Sequence, residues 1–495
     1  MRLIWEIGVR FFGLLCILYL ALPTARAAAQ DSQQMSTKPS EEKTAMADPQ
    51  KGFPSGPLRV SRRNPRYFED AQGRVLFLTG SHAAADMTDE GPNDPPAVFD
   101  FSAFLDFLQR NQHNLVRLWT CHVPQHSWSH PTLVVYDSPM PWQRTGPGSA
   151  LDGKPKFDLA RFNPAYFTRL RDRVVAAGRR GMYVSVMLFE GDVLHYASKP
   201  WCWQGHPFNA ENNINGLDGD PGKTGRGLKL LSLDIPAITA CQEAYVRKVI
   251  DTVGDLNNVL YEIANESGKG SMPWQEHMIR LVRDYESSRG KRHPVGITFP
   301  FGMPEIGGSS TNEELFQSTA DWISPAVAPE PYVTDPPAAD GRKVLIPDTD
   351  HLTGRTPENT LLWVWKSFCR GMNVLLMDDE CLTPTEPWRN PIRRDMGACR
   401  LYSERMNLAE ALPSDDLAST KYCLSDRKSQ FLVLLPEGPA VEVALTHAPG
   451  VFNAEWRSVN TGEVAPGGTI NGGEKVKLNS PFAGPSVLYL WQKSR

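Results

Sequence analysis

Short apolar runs alternate with longer amphipathic stretches from residue 56 to residue 412. The runs are rich in β-branched and aromatic residues, and the stretches between them repeat apolar residues every three or four positions. This alternation is typical of buried parallel strands connected by helices. The predicted strands are 75–79, 115–119, 183–188, 259–263, 295–298, 322–326, 344–346 and 374–377, and helices are predicted at 101–108, 166–177, 235–253, 275–287 and 360–369.

Eight such units predict an α/β fold, a closed (β/α)8 TIM barrel over residues 56–412. The alternative is a doubly wound open sheet, which usually carries a glycine-rich loop after its first strand. The first run here continues into Gly80-Ser-His82, which lacks the G-x-G-x-x-G spacing. The barrel is therefore favoured. Its sixth strand has the weakest pattern, because Pro325 interrupts the run.

Residues 413–495 have a different pattern of short alternating runs separated by Gly, Asn and Pro turns. Strands are predicted at 430–435, 441–445, 452–456, 475–478 and 487–491. This pattern indicates a small antiparallel β-sandwich. The segment contains no cluster of catalytic residue types, so we expect it to pack beside the barrel or to bind a ligand.

The N-terminal residues 1–29 have the features of a signal peptide. Arg2 and Arg10 precede an apolar run at 11–22, and small residues follow it. The run is shorter than the roughly 20 residues that span a membrane, although an uncleaved anchor is the alternative. Residues 30–55 are polar and predict a disordered tether. We therefore expect a protein that is secreted or periplasmic, without membrane attachment after cleavage.

The composition restricts the class of partner. The formal net charge is −4 and 41% of the residues are hydrophobic, so the chain can bury a core and has no strong field for nucleic acid. Seven cysteines follow the signal without Cys-x-x-Cys spacing, which predicts neither a zinc site nor a disulfide framework. One or two disulfides are compatible with an oxidising compartment. The oligomeric state stays open.

Polar residues at the carboxyl ends of barrel strands are the candidates for chemistry, because barrel active sites are built there. The fourth run ends in Asn265-Glu266, the third is followed by Glu190, and the seventh by Asp348, Asp350 and His351. The further substrate-binding candidates are His82, Arg117, Trp119, Trp201, Trp203, Tyr332 and Asp378. Carboxylates on strands four and seven can face each other across the mouth, the arrangement that glycosidic cleavage requires.

The stretch Tyr261-Glu-Ile-Ala-Asn-Glu266 resembles the end of the fourth strand in clan A glycoside hydrolases. This resemblance implies that Glu266 is the acid/base and that Asn265 holds the sugar 2-hydroxyl. Residues 64–80 and 104–120 resemble the opening of apiosidase-like barrel proteins of bacterial polysaccharide utilisation, some of which are described as collagenases. Residues 434–490 are similar to the collagen-binding-type sandwich that accompanies those barrels.

The chain departs from this family at the seventh strand, where clan A enzymes usually present a glutamate nucleophile. Here the candidates are Asp348 and Asp350, which share a face if the segment is extended. Asp348 is preferred because it lies directly at the strand end. Either aspartate could instead cap the following helix. A guanidinium from Arg117 near the attacking carboxylate would keep it ionised.

The remaining candidates have simpler alternatives. Glu266 needs a raised pKa to act as an acid, but it could be a helix cap or a member of a surface pair. Trp201 and Trp203 offer flat platforms for sugar rings, but aromatic residues in a long loop often only pack it. Asp378 could belong to a solvated acidic corner or a calcium site. His82, His122 and His351 have no short ligand spacing, so no metal and no other cofactor is expected.

Three functional hypotheses follow. The first is an exported glycoside hydrolase that acts with retention on a polysaccharide or oligosaccharide. The second is a non-catalytic carbohydrate-binding protein on a decayed barrel, motivated by the missing strand-seven glutamate. The third is inverting hydrolysis or peptide cleavage, although the chain has neither an HExxH nor a G-x-S-x-G motif. The sugar, the linkage and exo or endo action are not indicated.

Overall fold

The structure is a computed structural model of the chain. It describes residues 52–127, 134–195, 199, 201–326, 334–349, 356–378, 381–382 and 386–492. The predicted signal peptide and nearly all of the predicted tether lie outside these residues. Within the described ranges, no helix has the length and apolar character needed to cross a membrane.

Eight parallel strands form one sheet, as the apolar runs predict. They are β1 (Thr79–His82), β2 (Leu115–Leu118), β3 (Tyr183–Glu190), β4 (Val259–Asn265), β5 (Val295–Thr298), β6 (Trp322–Ser324), β7 (Val344–Leu345) and β8 (Val374–Met377). The strand order is β7-β6-β5-β4-β3-β2-β1-β8. Backbone hydrogen bonds of 3.0 Å from Asn373 to Leu345 and from Leu375 to Pro347 connect β8 to β7. These bonds join the two edges of the sheet and confirm the (β/α)8 fold.

Helices follow the strands around the sheet. They are α1 (Phe101–Arg110), α2 (Pro164–Arg179), α3 (Asp192–His195), α4 (Pro236–Val253), α5 (Met272–Ser287), α6 (Asn312–Gln317), α7 (Pro357–Cys369) and α8 (Arg389–Arg405). Polar caps define several of their first turns. Asp100 accepts a hydrogen bond from the backbone of Ala103, and Thr311 and Glu314 form a capping box on α6. Their apolar faces pack against the sheet in one continuous core.

The first predicted strand, 75–79, is wrong in its position. The barrel strand β1 begins at Thr79, and Val75–Leu76 belongs to a three-stranded antiparallel sheet with Arg59–Val60 and Phe68–Glu69. Phe68 from this small sheet packs with Leu115 and Leu260 inside the barrel. The sheet therefore fills the end of the barrel at which the strands begin.

The connection from β2 to β3 contains additional strands. Gln125–His126 pairs with Val135–Ser138, which also pairs with Asp89–Gly91 to make a three-stranded antiparallel sheet. We call this the mouth sheet, because it follows the carboxyl end of β2. A separate hairpin is formed by Trp142–Ser149 and Pro155–Phe162.

Three buried asparagines join neighbouring elements at the start of barrel strands. Asn114, just before β2, bonds to the backbone of Phe77 and Thr79, and Asn373, just before β8, bonds to the backbone of Leu78 and Leu345. Asn258, just before β4, donates to the carbonyls of Val174 and Met182. Each amide satisfies backbone groups that the strand ladders leave unpaired.

The C-terminal segment is antiparallel, as predicted, with strands at each of the five predicted positions. Its strands are β9 (Leu412–Pro413), β10 (Cys423–Ser425), β11 (Gln430–Leu435), β12 (Ala440–Ala444), β13 (Val451–Ser458), β14 (Val464–Asn471), β15 (Lys475–Asn479) and β16 (Ser486–Trp491). Six of them form a sheet in the order β9-β10-β11-β16-β13-β14, and β12 pairs with β15. Residues between the two sheets form a core of their own.

The C-terminal sheet packs on α7 and α8 of the barrel. Tyr489 of β16 stacks edge-on against Tyr402 of α8, and both belong to the barrel's core cluster. The buried carboxylate of Asp395 on α8 accepts hydrogen bonds from Trp365 of α7, at 2.8 Å, and from Arg457 of β13, at 2.9 Å. Asp395 therefore connects both helices to the sheet.

The expectation of one or two disulfides is wrong for the described cysteines. No disulfide joins the described cysteines, which are Cys121, Cys202, Cys241, Cys369, Cys381, Cys399 and Cys423. Six of the seven are buried.

We predict that Asp395→Asn lowers the free energy of unfolding by about 3 kcal/mol, because it removes the buried charge that pairs with the partly buried Arg457. Urea unfolding measures the change. The matched control is Asp416→Asn, which breaks an exposed pair with Arg427 and should cost less than about 1 kcal/mol. Equal losses in the two variants would contradict the role of Asp395.

Candidate active site

A buried guanidinium lies at the centre of the barrel's carboxyl end. Arg117 of β2 contacts Glu262 of β4 through two nitrogens, at 2.9 and 2.5 Å, and Asp348 beyond β7 at 3.0 Å. It also donates to the side-chain oxygen of Asn265 at 3.0 Å. Burial alone would lower the pKa of Arg117, but Glu262 and Asp348 raise it above its ordinary value. The cluster therefore holds a permanent cation and brings three strands together.

A second contact fixes the Asp348 carboxylate. His82 at the end of β1 lies with its Nε2 atom 3.0 Å from the same oxygen, Oδ2, that Arg117 contacts. The His82 ring stacks on Trp119 with 4.9 Å between ring centroids, and the guanidinium of Arg117 lies over the same indole. The backbone of Trp119 donates to the buried Asp86 at 2.6 Å. His82, Arg117, Trp119 and Asp348, four sequence candidates, thus form one packed group.

Glu190, the last residue of β3, is buried beside this group. Its Oε1 atom accepts hydrogen bonds from the backbone of Asp192, at 2.9 Å, and from the amide of Asn265, at 3.3 Å. Its Oε2 atom has no hydrogen-bond partner among the residues that the structure describes. Burial, followed by repulsion from Asp192, raises the pKa of Glu190 well above its ordinary value.

Glu266 follows directly after β4 and is half-buried. Its backbone has a φ of 37°, a left-handed conformation that is unusual for a residue with a side chain. The carbonyl oxygen of Glu266 accepts a hydrogen bond of 2.7 Å from His195. A Cβ atom added at Gly191 would lie only 2.4 Å from the same oxygen. The chain is thus held in a strained turn at this residue, as is common in active sites.

The other predicted site residues lie in several different environments. Both ends of the Asn265 amide bond to protein groups, Arg117 and Glu190. Asp378 forms a buried two-point ion pair with Arg393 of α8, which gives it a structural role. Trp203 is buried, and a side chain at Gly227 would come within 2.4 Å of its ring, whereas Trp201 is half-buried. Tyr332, Asp350 and His351 lie outside the described residues.

Two residues of the cluster were not candidates in the sequence analysis. Glu262 supplies the principal carboxylate for Arg117 and also accepts a 2.6 Å hydrogen bond from Thr298. A charged residue in the middle of an apolar run was the available signal, because such a residue is rarely buried without a partner. Asp86 lies in a loop after β1, and burial raises its pKa to about 7. Nothing in its local sequence indicates this position.

Comparisons with known proteins agree with the fold. The model of a family described as "Domain of unknown function (DUF6298)" matches residues 126–300, a stretch that includes Glu190 and Glu266 but neither Arg117 nor Asp348. No curated protein matches the chain in sequence.

Solved structures are similar over most of the chain. One, described as a glycoside hydrolase, has a TM-score of 0.57 at 12% identity and covers 89% of this chain and 98% of its own. A glycoside hydrolase family 5 structure from Bacteroides vulgatus ATCC 8482 has a TM-score of 0.58 at 12% identity and covers 88% and 94%. At this identity the similarity establishes a shared fold.

We predict that Glu190→Gln removes a pH dependence of stability. Because the folded pKa of Glu190 is raised, the carboxyl stabilises the fold below its unfolded pKa of about 4.3, and this contribution is lost as pH rises toward the folded pKa. Relative to Glu190→Gln, the wild type should lose up to about 1.4 kcal/mol per pH unit in that window. Urea unfolding at several pH values measures it. An exposed control, Glu211→Gln, should leave the slope unchanged, and a parallel slope in wild type and Glu190→Gln would refute the assignment.

We also predict that Glu266→Gly is more stable than Glu266→Gln by about 1 kcal/mol, since glycine adopts a left-handed φ without steric cost. Both variants lose the carboxylate, so their difference isolates the backbone strain. The control is Glu442 in strand β12, where glycine should be the less stable of the two substitutions. Chemical denaturation of the four variants measures their free energies of unfolding. If Glu266→Gln is as stable as Glu266→Gly, the backbone at residue 266 is not strained.

Proposed function

We propose that the chain is an O-glycosyl hydrolase that retains anomeric configuration, with Glu266 as acid/base and Asp348 as nucleophile. The observation that carries this proposal is the contact of one Asp348 oxygen with both Arg117 and His82 at the barrel's carboxyl end. A carboxylate held by a guanidinium stays ionised and oriented, as a nucleophile must. The glycoside hydrolase-like fold supports carbohydrate as the substrate class.

The first chemical step joins Asp348 to the sugar. A carboxylate oxygen forms a bond to the anomeric carbon while the glycosidic carbon–oxygen bond breaks, and Glu266 transfers its proton to the departing oxygen. In the second step the ionised Glu266 takes a proton from water. The water oxygen bonds to the anomeric carbon, the bond to Asp348 breaks, and both carboxyl groups return to their starting states.

The neighbouring groups support this division of roles. Arg117 carries a full positive charge beside Asp348, whereas the sequence-predicted acid Glu266 directly follows β4, a different strand. In this proposal Asn265 orients Arg117 and Glu190 through both ends of its amide, and Trp119 forms part of the sugar-binding wall.

Location is a further part of the proposal. Residues 1–29 carry the charged, apolar and small-residue segments of an export signal. Export into the periplasm or the medium would bring the enzyme to a polysaccharide outside the cytoplasm. N-terminal sequencing of the protein from the producing cell tests this, and a retained Met1 would contradict it.

A carbohydrate-binding protein without turnover is the second candidate. The observation that favours it is the burial of Asp348, whose side chain is 1% exposed. A carboxylate enclosed by Arg117 and His82 reaches a sugar only if the group around it opens. In this second case the cluster would act as a fixed polar floor beneath a bound glycan.

We predict that Glu266→Gln and Asp348→Asn each lower kcat on aryl glycosides by at least about 100-fold. Added azide should give a glycosyl azide of retained configuration from the Glu266 variant and of inverted configuration from the Asp348 variant. Product analysis by NMR identifies both. Asp350→Asn tests the neighbouring aspartate, and Asp416→Asn is an exposed control that should keep wild-type activity.

The outcomes separate the candidates. Sugar release that does not change in Glu266→Gln would end its assignment as acid/base. Loss of activity in Asp350→Asn but not in Asp348→Asn would transfer the nucleophile to Asp350. Binding of glycans by the wild type, without sugar release from any polysaccharide or aryl glycoside, would favour the binding protein.

A further inference from the structure

A thiol, an imidazole and a carboxylate meet beside the mouth sheet. Ligand atoms of Cys121, His126 and Asp137 all lie within 4.8 Å of one another. All three residues are buried, with exposed fractions of 1%, 1% and 4%. We call this group the Cys121 cluster. It is separate from the carboxylates that contact Arg117.

The fold holds the three residues through backbone pairing. Cys121 lies three residues after the end of β2, and His126 and Asp137 lie on the paired strands Gln125–His126 and Val135–Ser138. The backbone of Asp137 donates to the carbonyl of Pro124 at 3.1 Å, and its other side pairs with Glu90. The positions of the donors are therefore set by the mouth sheet and do not depend on long flexible side chains.

The Asp137 carboxylate is oriented as a ligand usually is. Thr88 donates to its Oδ1 atom at 3.2 Å, which turns Oδ2 toward His126. The Oδ2 atom lies 2.8 Å from His126 Nε2, yet it accepts no hydrogen bond of acceptable geometry from the described residues. Second contacts of this kind, from a hydroxyl to the outer oxygen of a carboxylate, orient metal ligands.

We propose that Cys121, His126 and Asp137 bind one Zn²⁺ ion. Thiolate sulfur, imidazole nitrogen and carboxylate oxygen are the three ligand types that zinc takes, at about 2.0–2.3 Å. The sulfur ligand selects against calcium and magnesium, which prefer oxygen. Cys121 and His126 are separated by four residues, and Asp137 lies on the neighbouring strand. This spacing lacks the Cys-x-x-Cys signature, so the sequence analysis predicts no zinc site here.

The ion would connect the end of β2 to the mouth sheet. Cys121 follows Trp119 by two residues, and Trp119 supports His82 and Arg117 by stacking. A bond from the metal to Cys121 therefore fixes the segment that carries one wall of the candidate active site. Three protein donors leave one position of a tetrahedral zinc for a further ligand. This inference does not depend on the proposed hydrolase activity.

Metal analysis of the purified protein tests the site. We expect one zinc per chain by plasma mass spectrometry after dialysis against buffered zinc. Replacement by Co²⁺ should give the intense visible bands of a tetrahedral ion and a thiolate-to-cobalt charge-transfer band in the near ultraviolet. Cys121→Ser should remove the charge-transfer band, and Asp137→Asn should weaken metal retention by at least about 10-fold.

Two matched controls identify the ligands. Cys399→Ser changes another buried thiol, and His293→Gln breaks a buried histidine–carboxylate pair with Glu286 of α5. Both should keep the zinc and the cobalt spectrum. If Cys121→Ser fails to fold, the wild-type cobalt spectrum still decides, because adventitious surface sites give no thiolate band. Wild type without stoichiometric metal, or with a cobalt spectrum that lacks the thiolate band, would overturn the proposal.

Discussion

The requirement that the buried charge of Arg117 be compensated organises the upper half of the barrel. A guanidinium remains protonated in a protein interior, and removing it from water costs several kcal/mol unless anions lie against it. Glu262 and Asp348 supply those anions from β4 and from the segment after β7. One cation therefore connects three strands that are not neighbours in the sheet. Its charge also determines at which positions carboxylates can be buried.

The barrel interior divides into an apolar and a polar part around this cation. Near the start of the strands, Leu78, Leu115 and Leu260 pack with the small N-terminal sheet. Toward the other end, a small cavity is lined by Arg117, Glu262, Ser185, Thr298 and Ser324 together with apolar neighbours. Polar side chains therefore gather toward the end of the barrel at which the strands end.

Much of the fold was predictable from the sequence, because strand and helix periods are local properties. The first strand was misplaced, because the apolar run Val75-Leu-Phe-Leu78 precedes β1, whose own residues Thr79-Gly-Ser-His82 have no apolar pattern. The candidate site was predicted in part. Arg117, Asp348 and His82 follow from the rule that strand ends carry the chemistry, whereas Glu262 lies within a strand and Asp86 within a loop. The Cys121 cluster could not be predicted, because it depends on which strands of the mouth sheet pair.

Closure of the barrel has a consequence for the order in which the chain folds. Leu78 beside β1 and Asn373 beside β8 are hydrogen-bonded although 295 residues separate them. A ribosome that makes the chain from its N-terminus exposes one edge of β1 long before β8 exists, and unpaired strand edges invite aggregation. The C-terminal sheet, which covers α7 and α8, is synthesised later still. The barrel is thus complete only near the end of translation, so a product that stops after α8 leaves an apolar helical surface uncovered.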